Sequence, residues 1–170
     1  MPSNRYIRKI RAAANVGLYG SLLICICVVA EHFLDKYLWV REITTNDYTH
    51  RLFLAVGLVL AVATIAYMLF AMRNGVPRLR QTDGVEEKLS GYAKLIGNIF
   101  YLSLFSVAVV GSIVVILREN TLIMLLLLLF MSMVLNYPNM YKMKVDLGLD
   151  DNEMSELFGS SYIMGEGDRK

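Results

Sequence analysis

Four stretches of this chain carry no charged side chain, and each is long enough to cross a lipid bilayer. Nineteen uncharged residues separate Arg11 from Glu31, 21 separate Arg51 from Arg73, 23 separate Lys94 from Arg118, and 22 separate Glu119 from Lys142. A helix crossing the ~30 Å hydrocarbon core needs ~20 mainly apolar residues. Without water to satisfy them, its backbone N–H and C=O groups must pair within the segment. All four stretches fall within 170 residues that are 56% hydrophobic and 19% charged, against ~25% charged in an ordinary soluble domain. The pattern excludes a soluble globular enzyme, a nucleic-acid-binding domain and a disordered tail. The expected fold is an all-α integral membrane protein with four transmembrane helices in two antiparallel hairpins. It divides into a basic segment 1–11, a membrane domain 12–137 and a tail 138–170.

The expected spans are 12–34, 52–72, 95–117 and 121–137. The first also fits a secretory signal, with Val28 and Ala30 before Glu31 as a small-residue cleavage pattern, but it exceeds the ~7–15 residues of a signal core, so a retained helix is expected. The second is expected to stop at Arg73-Asn74-Gly75-Val76-Pro77, since Asn-Gly followed by Pro is termination chemistry. Before the third, Val85, Leu89, Tyr92 and Ile96 recur at helical spacing, predicting an amphipathic stalk that begins outside the bilayer. Tyr19-x-Ser21-Leu22-Leu23 parallels Tyr101-x-Ser103-Leu104-Phe105, a hint of the parallel repeat some transporters show.

Lysine and arginine counts set the orientation. Placing both termini and the loop 73–94 in the cytoplasm puts thirteen basic residues inside and four outside. With no organelle-targeting signal in view, a multi-pass protein of the plasma membrane, a bacterial inner membrane, is expected. Trp39 in the first outer loop reads as an interface anchor.

Apolar surface does not drive helices together in lipid, so small and hydrogen-bonding residues mark contact faces. Ala13, Gly17, Ser21 and Cys25 form such a stripe on the first helix, Gly57 and Ala61 on the second, and Ala108 and Ser112 on the third, with Gly111 beside them. The fourth, dominated by the run Leu125 to Leu129, is expected on the lipid side or in a subunit interface. Asn15, Tyr67, Asn98, Tyr101 and Ser106 are the candidate polar interior. None of them ionises near neutral pH, whereas proton-coupled pumps keep an ionisable group inside the membrane.

The outer rim offers weak metal candidates. His32 and His50 flank one loop with Glu31, Asp35, Glu42 and Asp47 nearby, a ligand chemistry suited to zinc, though the spacing matches no metal motif and rim histidines are ordinary. Cys25 and Cys27 point apart on a helix and cannot pair with each other. No catalytic motif is present and no cofactor is expected. In the tail, Asp150 or Asp151 can cap a short acidic amphipathic helix over 150–158, in which Met154, Leu157 and Phe158 form one apolar face closed by Gly159. Because 146–156 holds five acids and no base, this helix should avoid an anionic membrane surface and pack on the protein's own basic loop or on a partner. The leading functional expectation is a non-enzymatic accessory, scaffold or assembly subunit, acting through helix packing and its tail with a protein partner or a second copy. The alternatives are a small homo-oligomeric transporter or channel, and an outer-rim metal-dependent or proton-sensing protein using His32 and His50.

Overall fold

A computed structural model describes residues 3–33, 47–117 and 120–158. Among the described residues there are six helices and no strand: α1 (Ser3–Phe33), α2 (Asp47–Arg80), α3 (Val85–Leu117), α4 (Asn120–Leu135), α5 (Met140–Leu147) and α6 (Asp151–Phe158). The first three are each long and apolar enough to cross a membrane, whereas α4 meets that test only together with α5, from which it is bent by 75°. At ~1.5 Å per residue, α1, α2 and α3 are each ~46–51 Å long, well beyond the ~30 Å of hydrocarbon.

Side-chain packing fixes the helix directions. Along α1 and α3, Gly17 lies against Phe100, Gly20 against Leu104, and Gly111 against Ile24 and Val28, so the two helices run parallel. The similar segments around Ser21 and Ser103 therefore lie at one level, with both serines buried and both neighbouring tyrosines exposed. Against α3, α2 runs the other way: Gly57 lies near Ile113, Thr64 meets Ser106, and Gly75 is covered by Leu95. Helix α4 runs with α2, from Leu122 beside Gly57 to Asn136 beside Met68. The starts of α1 and α3 and the finishes of α2 and α4 thus share one end. Arg5, Arg8, Lys9, Arg11, Arg78, Arg80, Lys88 and Lys94 lie there, and it is termed the basic end.

Three expectations are corrected. First, α1 packs chiefly on α3 and makes little direct contact with α2, so the hairpin of the first two spans is not a packed pair. The reason is steric, because the glycines of α1 admit Phe100 and Leu104. Second, α4 is not confined to the lipid side. Leu122, Ile123, Leu126, Leu129 and Met133 are buried against the other three long helices, while Met124, Leu128, Met131 and Leu135 stay exposed. Room is made on the facing helices, where Gly57 admits Leu122 and Ser21 meets Met133. Third, α2 continues through Asn74, Gly75 and Pro77 to Arg80. Proline removes one main-chain bond, but Val76 is buried and Leu95 covers Gly75, so packing on α3 holds these last turns. The chain reverses four residues later, where the Thr82 hydroxyl donates to the Arg78 carbonyl and Gly84 adopts φ +92°. Helix α1 starts at Ser3, so Arg5, Arg8, Lys9 and Arg11 lie on its first turns, and Ile7, Ile10 and Ala14 extend its buried stripe.

Close approach at α1–α3 makes a direct prediction. A Cβ at Gly17 would lie 2.8 Å from Phe100 Cβ and 3.1 Å from its carbonyl oxygen. Overpacking of this kind costs about 1–3 kcal/mol, and Gly17→Ala should lower the thermal unfolding midpoint in mild detergent. A Cβ added at Gly97 would meet no atom within 4 Å, so Gly97→Ala should leave the midpoint unchanged or raise it through helix propensity, by up to ~1 kcal/mol.

Candidate functional site

The densest polar organisation lies at the basic end, where the segment after α4 folds back onto the bundle. Its local structure follows from capping. Asn139, after Pro138, accepts a hydrogen bond from the Lys142 N–H at 2.7 Å and starts α5. Gly148, in the left-handed region at φ 62°, ends it with its N–H directed to the Lys144 carbonyl. Asp150 and Glu153 then form a reciprocal capping box: the Glu153 N–H donates to Asp150 Oδ1 at 2.7 Å, and the Asp150 N–H donates to Glu153 Oε2 at 2.8 Å. Lys144 pairs with Asp151 between the two short helices.

An exposed arginine and a buried tyrosine fasten this tail to the stalks of α2 and α3. Arg80 donates through Nε to the Asp146 carbonyl at 3.0 Å and through Nη2 to the Val145 carbonyl at 2.6 Å, covering free carbonyls at the finish of α5. Tyr92, fully buried, donates its hydroxyl to Asp146 Oδ2 at 2.8 Å. Burial first, then the charge of Asp146 and its hydrogen bond, push the Tyr92 phenol far above its ordinary value. Lys142 donates to the Leu135 carbonyl and to Asn136 Oδ1, both at 3.0 Å, closing the finish of α4. Burial lowers its ammonium from the ordinary value, opposed by the Asp146 charge.

The apolar face of α6 is turned inward. Met154 is fully buried in the core, Leu157 and Phe158 pack against it, and the Arg11 guanidinium lies 5.6 Å from the Phe158 ring centroid. The residues expected to offer a partner an apolar face are thus engaged by the protein's own bundle, and the outward side of the tail carries Asp150, Asn152 and Glu156. Gly159 lies outside the described residues.

Among the other candidates, the structure brings some together and separates others. Asn15 accepts from the Tyr137 hydroxyl at 2.6 Å, tying α1 to the finish of α4. Ser106 and Thr64 share a hydrogen bond of 2.6 Å between α3 and α2, and the Ser21 hydroxyl donates to Met133 Sδ at 3.3 Å between α1 and α4. Ala13, Gly17, Gly57 and Ala61 are buried as packing residues. Tyr67, Asn98 and Tyr101 are instead exposed, which corrects their assignment to a polar interior, and Tyr101 borders the groove between α1 and α3. On α3 it is Gly111 that admits α1, whereas Ser112 is exposed, its hydroxyl donating to the Ala108 carbonyl, and Ala108 is half-buried.

At the opposite end Glu31 and His32 border a small recess with Val28, Val114 and Val115. His50 belongs to α2, which makes little contact with α1. Among the described residues no three His, Cys, Asp or Glu side chains gather as a metal site would require. Asp35, Trp39 and Glu42 lie outside the described residues, while Cys25 and Cys27 are free thiols, the first buried and the second exposed. Helix α5 and its clasp are not among the elements expected above, although Asn139 after Pro138, Met143 and Leu147 at helical spacing, and Gly148 signal them in the sequence. Comparison with protein-family models, with curated proteins and with solved structures gives no match.

The Tyr92–Asp146 hydrogen bond sets a pH-dependent prediction. Because the folded phenol titrates above its unfolded value of 10, the stability it contributes is complete below pH 10 and is lost as pH rises above it. Tyr92→Phe should cost about 1–3 kcal/mol at neutral pH. Thermal unfolding in detergent across this range should show a shallower alkaline decline for the variant than for the native protein.

Proposed function

We propose that this protein is a non-enzymatic accessory or scaffold subunit of a bacterial plasma membrane, crossing it four times with its basic end in the cytoplasm. The disposition of polar groups is the observation that carries this reading. Thr64, Ser106, Asn15, Ser21 and Asn136 are used in ties between helices, and the remaining candidates for a polar pathway face outward. Such an interior favours a fixed platform over a conduit.

Four crossings are supported by the reach of α4. Its ~24 Å length falls short of a full bilayer, yet its successive neighbours run from Gly57 to Met68 on α2 and to Asn15 on α1. A bundle can accommodate such a short span by local thinning of the bilayer. The orientation follows from thirteen of the 17 basic residues falling on one side.

In this reading the tail does not offer its apolar face to a partner. It presents the acidic outer side of α6, complementary to a basic cytoplasmic surface. A homo-oligomeric channel is the second reading, favoured by the outward placement of Tyr67, Asn98 and Tyr101, which would meet only between copies.

Size-exclusion chromatography with light scattering, combined with in-cell photocrosslinking from Asn152, separates these readings. The scaffold reading expects a stoichiometric hetero-complex that Glu156→Lys weakens and truncation after Lys144 abolishes. A monomer without crosslinks in cells would overturn it. A homo-oligomer that conducts ions in proteoliposomes would favour the channel.

A further inference from the structure

We propose that the α1–α3 seam at the basic end is a binding site for one anionic phospholipid. The inference rests on α1 and α3 crossing the bilayer, and it adds a ligand that the scaffold reading does not require. A cavity of about 330 Å³ opens between the two helices, within the ~300–1,000 Å³ of small-ligand sites. It is lined by Lys9 and Lys94, both exposed, and by the apolar surface of Ala12, Ala93 and Gly97, with Tyr101 furthest along α3 from the lysines. The Lys9 ammonium lies 5.9 Å from the Tyr6 ring centroid, on the rim of the same cavity.

The order of these groups along the helices selects the ligand. Lys94 stands where the uncharged stretch of α3 begins, and Lys9 lies two residues before Arg11, which opens that of α1, so both fall at headgroup depth in the membrane reading. Gly97 and Tyr101 are about one and two turns further into the hydrocarbon. No carboxylate lines the cavity; Glu86 and Glu87 lie about two turns below Lys94 on the stalk. A phosphodiester at the lysines, with one acyl chain running over Gly97 towards Tyr101, fills both parts of the site. A free phosphate would leave the apolar floor empty, and a zwitterionic lipid would set its own cation against two ammonium groups. Among the described residues no arginine lines the cavity, and Arg80 at the finish of α2 is committed to the Val145 and Asp146 carbonyls. The lysine pair on the seam therefore takes the headgroup.

Gly97 supplies a test that leaves packing intact, because a side chain added there meets nothing within 4 Å and extends into the cavity. The protein in mild detergent is titrated with phosphatidylglycerol, with phosphatidylcholine and with inorganic phosphate. Bound lipid is counted by native mass spectrometry, and the unfolding midpoint is recorded in parallel. One phosphatidylglycerol should be retained in preference to phosphatidylcholine. Each lysine near a charged surface is worth about five-fold in affinity, so K9Q/K94Q should remove most of that preference, by about 25-fold. Gly97→Leu should prevent retention of either lipid while keeping helicity and monodispersity. Equal retention of the two lipids by the native protein, or unaltered binding by both variants, overturns the proposal while leaving the bundle standing. A lysine-dependent stabilisation that inorganic phosphate reproduces in full assigns the site to a free anion and likewise overturns it. Monodisperse protein obtained without any detergent would instead overturn the membrane reading on which it rests.

Discussion

Everything in this architecture depends on how closely α1 can approach α3. In a hydrocarbon solvent apolar surface gains little by leaving the lipid, so association must come from dense van der Waals contact and hydrogen bonds between helices. Gly17 places the α1 backbone against the Phe100 side chain and carbonyl, and Gly20 and Gly111 repeat the fit towards the other end. That seam makes α3 the central helix, with α1 on one flank, α2 on another, and α4 laid where it touches all three. The polar ties then fall at the borders: Thr64 with Ser106, Ser21 with Met133, and Asn15 with Tyr137. Ser103 is the exception, a buried hydroxyl with no hydrogen-bond partner.

The basic end is organised by a different chemistry. There charge-assisted hydrogen bonds bring the chain back onto its own stalks. Arg80, Tyr92 and Lys142 converge on the stretch from Leu135 to Asp146, so the finish of α4, the whole of α5 and the stalks of α2 and α3 share one network. Met154 and Phe158 continue the attachment to α1. A tail held in this way is part of the folded body, with Asp150, Asn152 and Glu156 on its outer side.

The helical class and the long apolar helices are legible because charge is excluded from them, and one absent property repeated over twenty residues is easy to read. Neighbour relations are less so. Glycine and alanine stripes mark a contact face without naming its partner, and α1 chose α3 because Phe100 and Leu104 fit its glycines, a match of shapes that residue types do not encode. Helix α4 misleads for a related reason: the space that Leu122 fills is made by Gly57 on another helix. Pro77 misleads because termination chemistry is local, whereas Val76 and Gly75 are held by α3 from a distance. At the candidate site, the caps at Asn139, Gly148 and Asp150 are written in the sequence, while the Tyr92–Asp146 bond joins residues 54 apart and becomes visible only once the stalks are assembled.

Whether α4 passes through the membrane is the point on which topology, orientation and the place of the tail all turn. Single cysteines at Asp47, Gly84, Thr121 and Ser155, in a background lacking Cys25 and Cys27, can be labelled with a membrane-impermeant maleimide in sealed, oriented vesicles. The account predicts Gly84 and Ser155 on one side and Asp47 and Thr121 on the other. Labelling of Thr121 and Ser155 from the same side would contradict it.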